Sequence, residues 1–288
     1  MKYRILRCVM NVFIIVCRVL PYKGRELLGR FIGWLGYRLT GDRRKVARKN
    51  LAESFPEMDD KEIESNVKKM FTHLGFTLIE FFRNYKLAED DINKYVEFEN
   101  REYLDRAFER GNGVIIYTAH FGNWEWLGTI IAAMDYPITA IARRQKNIIN
   151  DKIEKIRKSA GGKVIYQKEG TIRESFRCLK RGECLYVIGD QEARSRGWKI
   201  NFLGRPASTF NGAVKLAART GAAILPVYTI RQSLERHKLL IKKPVYVDSD
   251  ASEQEQREIL QELTNISEEV IKDHIPQWMW LHRRWKTY

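Results

Sequence analysis

Along this chain the spacing of apolar residues changes character about a third of the way in. Up to about residue 84 the apolar positions recur at helical spacing, and from residue 114 onward they fall in short β-rich runs. The segment RELLGRFIGWLGYRL over 25–39 sets apolar residues at helical intervals with arginines between them. Gly41-Asp42 interrupts that pattern, 43–55 resumes it, and Pro56 stops it. Asp59 with Glu62 three residues later is a capping-box-like start for another helix, running through Phe71, Leu74, Phe76, Leu78, Phe81 and Phe82. Beyond this point, runs at 114–118, 138–142, 164–166, 185–188, 224–230 and 239–247 alternate with helical stretches at 124–134, 147–159, 171–180 and 213–219. That alternation predicts an α/β fold, a sheet with helices on its faces. A final amphipathic helix is predicted over 253–274, ended by Pro276.

The amino terminus is basic over 1–7 and apolar over 8–17. It lacks the small-residue cleavage site of a signal peptide, and Arg18 interrupts it early. The apolar run also falls short of the roughly 20 residues that span a bilayer. A helix lying in the membrane interface or partly inserted, with Arg4, Arg7 and Arg18 reaching phosphates, fits these residues; so does a core helix of a soluble domain. Trp34 and Tyr37 suit a headgroup region and favour the membrane reading. The chain is accordingly divided into a membrane-associating helical segment, 1–40, and an α/β domain, 41–288.

Composition narrows the partners. With 51 Lys and Arg against 36 Asp and Glu, the formal charge of +15 implies a polyanion: nucleic acid, an anionic membrane face or an acidic carrier protein. The basic, aromatic-laced end, Trp278-Met-Trp280 with His282-Arg-Arg-Trp285-Lys286, has no nucleic-acid module around it, so nucleic acid is set aside as a partner. A membrane interface, or packing beneath a site, suits those aromatics better. Four cysteines without C-x-x-C spacing read as reduced and cytosol-facing. The histidines, His73, His120, His237, His274 and His282, are scattered without paired ligands, which argues against zinc.

The chemistry concentrates in Tyr117-Thr-Ala-His120-Phe-Gly-Asn-Trp-Glu125, directly after the apolar run 114–116. A buried strand delivers His120 into a turn, at the strand end where α/β sheets place ligands. The positive end of the following helix is expected to keep the imidazole neutral. Glu125, in the first helical turn, is expected to reach back to one ring nitrogen and fix the tautomer. No G-x-S-x-G elbow and no suitably placed cysteine supplies a nucleophile, so the pair suits direct attack by a substrate hydroxyl.

His120-Phe-Gly-Asn-Trp-Glu125 resembles the H-x4-D/E motif of the glycerolipid acyltransferases, in the variant of the bacterial lipid A biosynthesis acyltransferases. Similar blocks follow the family's order: 43–51 with Phe55-Pro56, Ile141-Ala-Arg-Arg144 with Asn147, 182–191, 201–206 with Thr209, Leu225-Pro226, and 276–286. The resemblance implies a mixed sheet flanked by helices, and transfer of an acyl chain from acyl carrier protein or coenzyme A to a hydroxyl of an anionic lipid, a lipid A precursor. It implies work at the cytoplasmic face of the inner membrane, with no cofactor or metal. It also implies roles: His120 as general base assisted by Glu125, and Arg143 on a phosphate or the oxyanion. Asp190 and Gln191 would orient the acceptor or His120, with Asn123, Arg144 and Glu192 beside the substrate.

Overall fold

The computed structural model describes residues 2–83, 89–142, 148–159, 161–167 and 170–288. Four helices come first: α1 (Lys2–Val19), α2 (Tyr22–Leu39), α3 (Gly41–Ser54) and α4 (Asp60–Arg83). The rest alternates as α5 (Glu89–Tyr95), β1 (Val96–Glu99), α6 (Arg101–Glu109), β2 (Val114–Thr118), α7 (Trp124–Ala133), β3 (Ile138–Ala142), α8 (Ile148–Ser159), β4 (Lys163–Tyr166), α9 (Thr171–Lys180) and β5 (Cys184–Ile188). Then come β6 (Trp198–Phe202), β7 (Arg205–Thr209), α10 (Gly212–Thr220), β8 (Ala223–Ser233), β9 (Arg236–Ile241) and α11 (Glu253–Asp273).

Seven strands form one sheet in the order β1-β9-β8-β2-β5-β3-β4. Every neighbouring pair is parallel except β8 with β9, so the sheet is mixed. β2 lies inside it with all five residues buried, as a strand covered on both faces requires. One face packs on α6 and α7 through Leu104, Trp126 and Ile130; the other packs on α9, α10 and α11 through Leu179, Leu216 and Leu263. β6 and β7 form a separate antiparallel hairpin.

The helical layer is fastened to this body. α2 runs along α4 with their backbones nearly touching: a Cβ on Gly75 would collide with the Gly29 carbonyl oxygen. A third apolar cluster joins Leu51 and Met70 of the layer to Phe121, Val270, Trp278 and Trp280. Asn50 on α3 donates to the carbonyls of Trp280 (2.9 Å) and His282 (2.8 Å), tying the layer to the carboxyl-terminal segment.

The predicted helices and strands are present where the periodicity placed them, with one strand shortened: of the run 239–247 only β9, ending at Ile241, is strand, and Val245 makes an isolated bridge to Ile224. β1, β6, β7, α5 and α6 are additions. β6 buries Trp198, Ile200 and Phe202 while Lys199 and Asn201 face out, a two-residue alternation in a stretch otherwise notable for its motif.

Candidate active site

The site begins with a register. Thr118 of β2 pairs with Ile188 of β5, so the strands end side by side and the residues two further on meet. Those residues are His120 and Asp190. His120 Nδ1 lies 2.7 Å from Asp190 Oδ1, and the His120 backbone N–H donates to Oδ2 at 2.8 Å. The Trp278 indole N–H donates to the same Oδ2 at 2.8 Å. An ionised Asp190 therefore accepts a hydrogen bond from Nδ1–H, which leaves the lone pair of the neutral ring on Nε2. The Gln191 amide nitrogen stands 3.1 Å from that Nε2 and donates to it.

The turn around His120 is built by close approach. Gly122 has φ +56°, and a Cβ there would drive into the Thr229 carbonyl. Its N–H donates to the Gln277 carbonyl (2.9 Å), and the Met279 N–H donates to the His120 carbonyl (2.9 Å). The carboxyl-terminal segment thus closes the turn from the far side. Arg284 of that segment is 1% exposed; it donates to the carbonyls of Ser208 and Gln191 (3.4 Å to the latter) and to Thr209 Oγ1 at 2.5 Å. It fixes the backbone from which the Gln191 side chain leaves.

Glu125 does not make its expected contact with the His120 ring. Its carboxylate is held bidentately by Arg157 of α8, at 2.5 and 3.0 Å. The reason is geometric: the strand register delivers Asp190 to Nδ1 from a neighbouring strand, whereas Glu125, on the first turn of α7, projects toward α8. Burial alone lowers the His120 pKa, but Asp190, by charge and hydrogen bond, outweighs it with a smaller push from the Glu125 charge, and the pKa lies above its ordinary 6.5. Asp190 is penalised by burial yet held down to about 2 by His120 and by the Trp278 and backbone N–H groups.

Other sequence candidates sit elsewhere. Asn123 is fully buried: its Oδ1 caps α7 by accepting from the Trp126 N–H (3.0 Å), and its amide donates to Glu80 at 2.7 Å, so it shapes the turn and does not face substrate. Glu192 turns toward the carboxyl-terminal segment, accepting from Thr287, while its N–H donates to His282 Nε2 at 3.1 Å. Arg143 and Arg144 lie outside the described residues. Trp278, Arg157 and Arg284 join the site without having been assigned to it; Trp278 and Arg284 carried a sequence signal, as parts of the basic, aromatic-laced cluster near the end. Among the described residues, no group of three or more His, Cys, Asp or Glu could hold a metal ion.

An imidazole held by a buried carboxylate thus stands at the carboxyl ends of two parallel strands of a mixed α/β sheet. The profile of the bacterial lipid A biosynthesis acyltransferases matches residues 1–287, and the chain belongs to that family. It is 26% identical over 270 residues to the lipid A biosynthesis palmitoleoyltransferase of Escherichia coli, covering 93% of this chain and 87% of that protein. It has the same identity and coverage with the lipid A biosynthesis lauroyltransferase of Escherichia coli. A shorter similarity, 27% over 132 residues, spans 44% of this chain and 42% of the phosphatidylinositol mannoside acyltransferase of Mycobacterium tuberculosis.

Proposed function

We propose that this protein transfers a fatty acyl chain from an acyl thioester, carried on acyl carrier protein or coenzyme A, to a hydroxyl of a lipid A precursor. The observation that carries the reading is the Asp190–His120 pair, with Nε2 facing away from Asp190 and met by the Gln191 amide. The acceptor hydroxyl replaces the Gln191 amide at Nε2 and gives up its proton there. The oxygen attacks the thioester carbonyl, and the displaced Gln191 N–H is within reach of the tetrahedral oxyanion. Collapse breaks the carbon–sulfur bond, and the imidazolium returns its proton to the departing thiolate. Asp190 holds the ring and balances its charge during the step. Arg157, oriented by Glu125, supplies a fixed cation beside the site for an acceptor phosphate.

α1 and α2 support work at a membrane. Val12, Ile15 and Val19 of α1 and Leu27, Phe31 and Trp34 of α2 are exposed, with Arg18, Lys23, Arg30 and Arg38 among them. Among the described residues no helix is long and apolar enough to cross a membrane, so these helices are read as lying in the interface, residues 1–40 forming the docking element. The cytoplasmic face of the inner membrane is the proposed location, where a thioester donor and an anionic acceptor meet.

Incubation of the protein with a lipid A precursor and mixed acyl thioesters tests the reading. Mass spectrometry is expected to show one added acyl chain and release of an equivalent of thiol. Thioester consumption without a lipid A product, in the presence of a phosphatidylinositol mannoside acceptor that does become acylated, would move the acceptor to another glycolipid. Undiminished turnover by folded His120→Ala would remove the mechanism.

A further inference from the structure

Away from the His120 turn, α1 and α8 enclose a cleft of about 340 Å³ lined by Asn11, Ile14, Ile15, Arg18, Lys152, Lys155 and Ile156. On α1 the lining positions fall at i, i+3, i+4 and i+7, and on α8 at i, i+3 and i+4, so each helix offers one continuous stripe. The lining mixes two chemistries: three isoleucines, of which Ile156 is buried and Ile15 exposed, and three cations, Arg18, Lys152 and Lys155. Lys152 Nζ donates one hydrogen bond to Asn11 Oδ1 at 2.6 Å, which leaves two of its three N–H groups for a ligand. Glu154, the neighbouring acid on α8, is engaged elsewhere, with Lys158 and the Tyr166 hydroxyl.

We infer that this cleft binds the phosphate-bearing headgroup of an anionic lipid, a reading that rests on α1 lying in the membrane interface. A lining of isoleucines and cations together is matched to an amphiphile and poorly matched to a free anion, which would leave the isoleucines unused. Ile15 carries the connection to the bilayer. It lines the cleft and also belongs to the exposed apolar stripe Val12, Ile15, Val19 at i, i+3 and i+7, so acyl chains leaving the headgroup continue along a surface already apolar. The volume suits a glycerophosphate-sized group (small-ligand sites begin at about 300 Å³).

The cleft also has a mechanical link to the candidate active site. Arg157 follows Ile156 on α8 and holds Glu125, five residues from His120. A lipid seated between α1 and α8 therefore braces the helix whose arginine lines the acceptor side. Its phosphate comes either from the acceptor glycolipid or from a resident phospholipid of the same leaflet.

The test uses the full-length protein and native mass spectrometry with short-chain phosphatidylglycerol, short-chain phosphatidylcholine and inorganic phosphate as probes. Lys152→Gln/Lys155→Gln is compared with Lys68→Gln/Lys69→Gln, which removes the same charge from α4. Removing two lysines at a lipid headgroup is expected to weaken phosphatidylglycerol binding about tenfold or more, at roughly a few-fold per cation. The α4 variant is expected to bind as wild type, phosphatidylcholine to bind about tenfold more weakly, and millimolar inorganic phosphate to leave the bound lipid in place. Equal losses in both double variants, or equal binding of the two lipids, would overturn the site, as would displacement by inorganic phosphate. Adding a phosphorylated lipid A precursor separates the two sources. If it displaces phosphatidylglycerol, and its KM rises in the α8 variant with kcat retained, the acceptor's own phosphate occupies the cleft. If it does neither while phosphatidylglycerol binding falls, a resident phospholipid does. The same binding is measured in His120→Ala, so an error in the assigned reaction leaves this result interpretable.

Discussion

Two buried carboxylate–histidine pairs occupy this molecule, and they behave oppositely. At the sheet's carboxyl edge, Asp190 meets His120, whose side chain is 16% exposed and whose pKa is raised. Behind the same turn, Glu80 of α4 meets His237 of β9 at 3.1 Å; both side chains are fully buried, and burial carries the His237 pKa below its ordinary value. At His237 burial outweighs the upward pull of Glu80, and Arg231, in contact with that carboxylate, adds a smaller lowering push. Asp190 has no cation in contact, only N–H donors from Trp278 and the His120 backbone, and its charge is spent on the imidazole. The first pair is available for proton transfer; the second is a structural anchor.

That contrast can be broken by substitution. Removing the base, His120→Ala, is expected to lower kcat by about 10²–10⁴-fold with the fold intact, checked by thioester turnover beside circular dichroism. On the structural side, Arg231→Met leaves Glu80 charged and buried, and is expected to cost about 3–5 kcal/mol in urea unfolding. An Arg231→Met protein of wild-type stability would show that the Glu80 cluster is no anchor. Asp190→Asn keeps the shape of the site but removes the charge, and a loss of about 10²-fold is expected, along with a telling change in pH dependence. The base works when neutral, so kcat/KM rises with pH through the raised His120 pKa; without Asp190 that midpoint should move to lower pH. Glu125→Gln acts on His120 only through a distant charge, and its shift of the same midpoint is expected to be smaller. A larger shift for Glu125→Gln than for Asp190→Asn would reverse the assignment of the orienting acid.

The sequence disclosed elements better than partners. Helix and strand periods located most of the fold because each depends on neighbours in the chain: Val114 to Thr118 is unbroken by charge since both faces are covered, and 25–39 repeats at helical spacing. β1, Val-Glu-Phe-Glu, escaped because half of its four residues are charged, so it offers no apolar run. The candidate base was legible from its place between strand and helix. Its partner was misassigned because proximity in sequence favoured Glu125, while pairing of β2 with β5 brings a residue 70 positions away into contact. Arg157 sits in an ordinary amphipathic helix, and nothing local distinguishes it from Lys155 or Lys158. Arg284 gave a different kind of signal: its basic cluster with tryptophans suited a membrane interface or packing beneath the site, and its burial agrees with packing.

The closure of the His120 turn by Gln277, Met279 and Arg284 has a consequence for the protein's birth. The strand, His120 and the helix that follows it are made well before the residues beyond 276 that give the turn its last hydrogen bonds. A growing chain can begin its sheet and still lack a positioned imidazole. An ordered His120 turn is therefore expected only once residue 284 has left the ribosome.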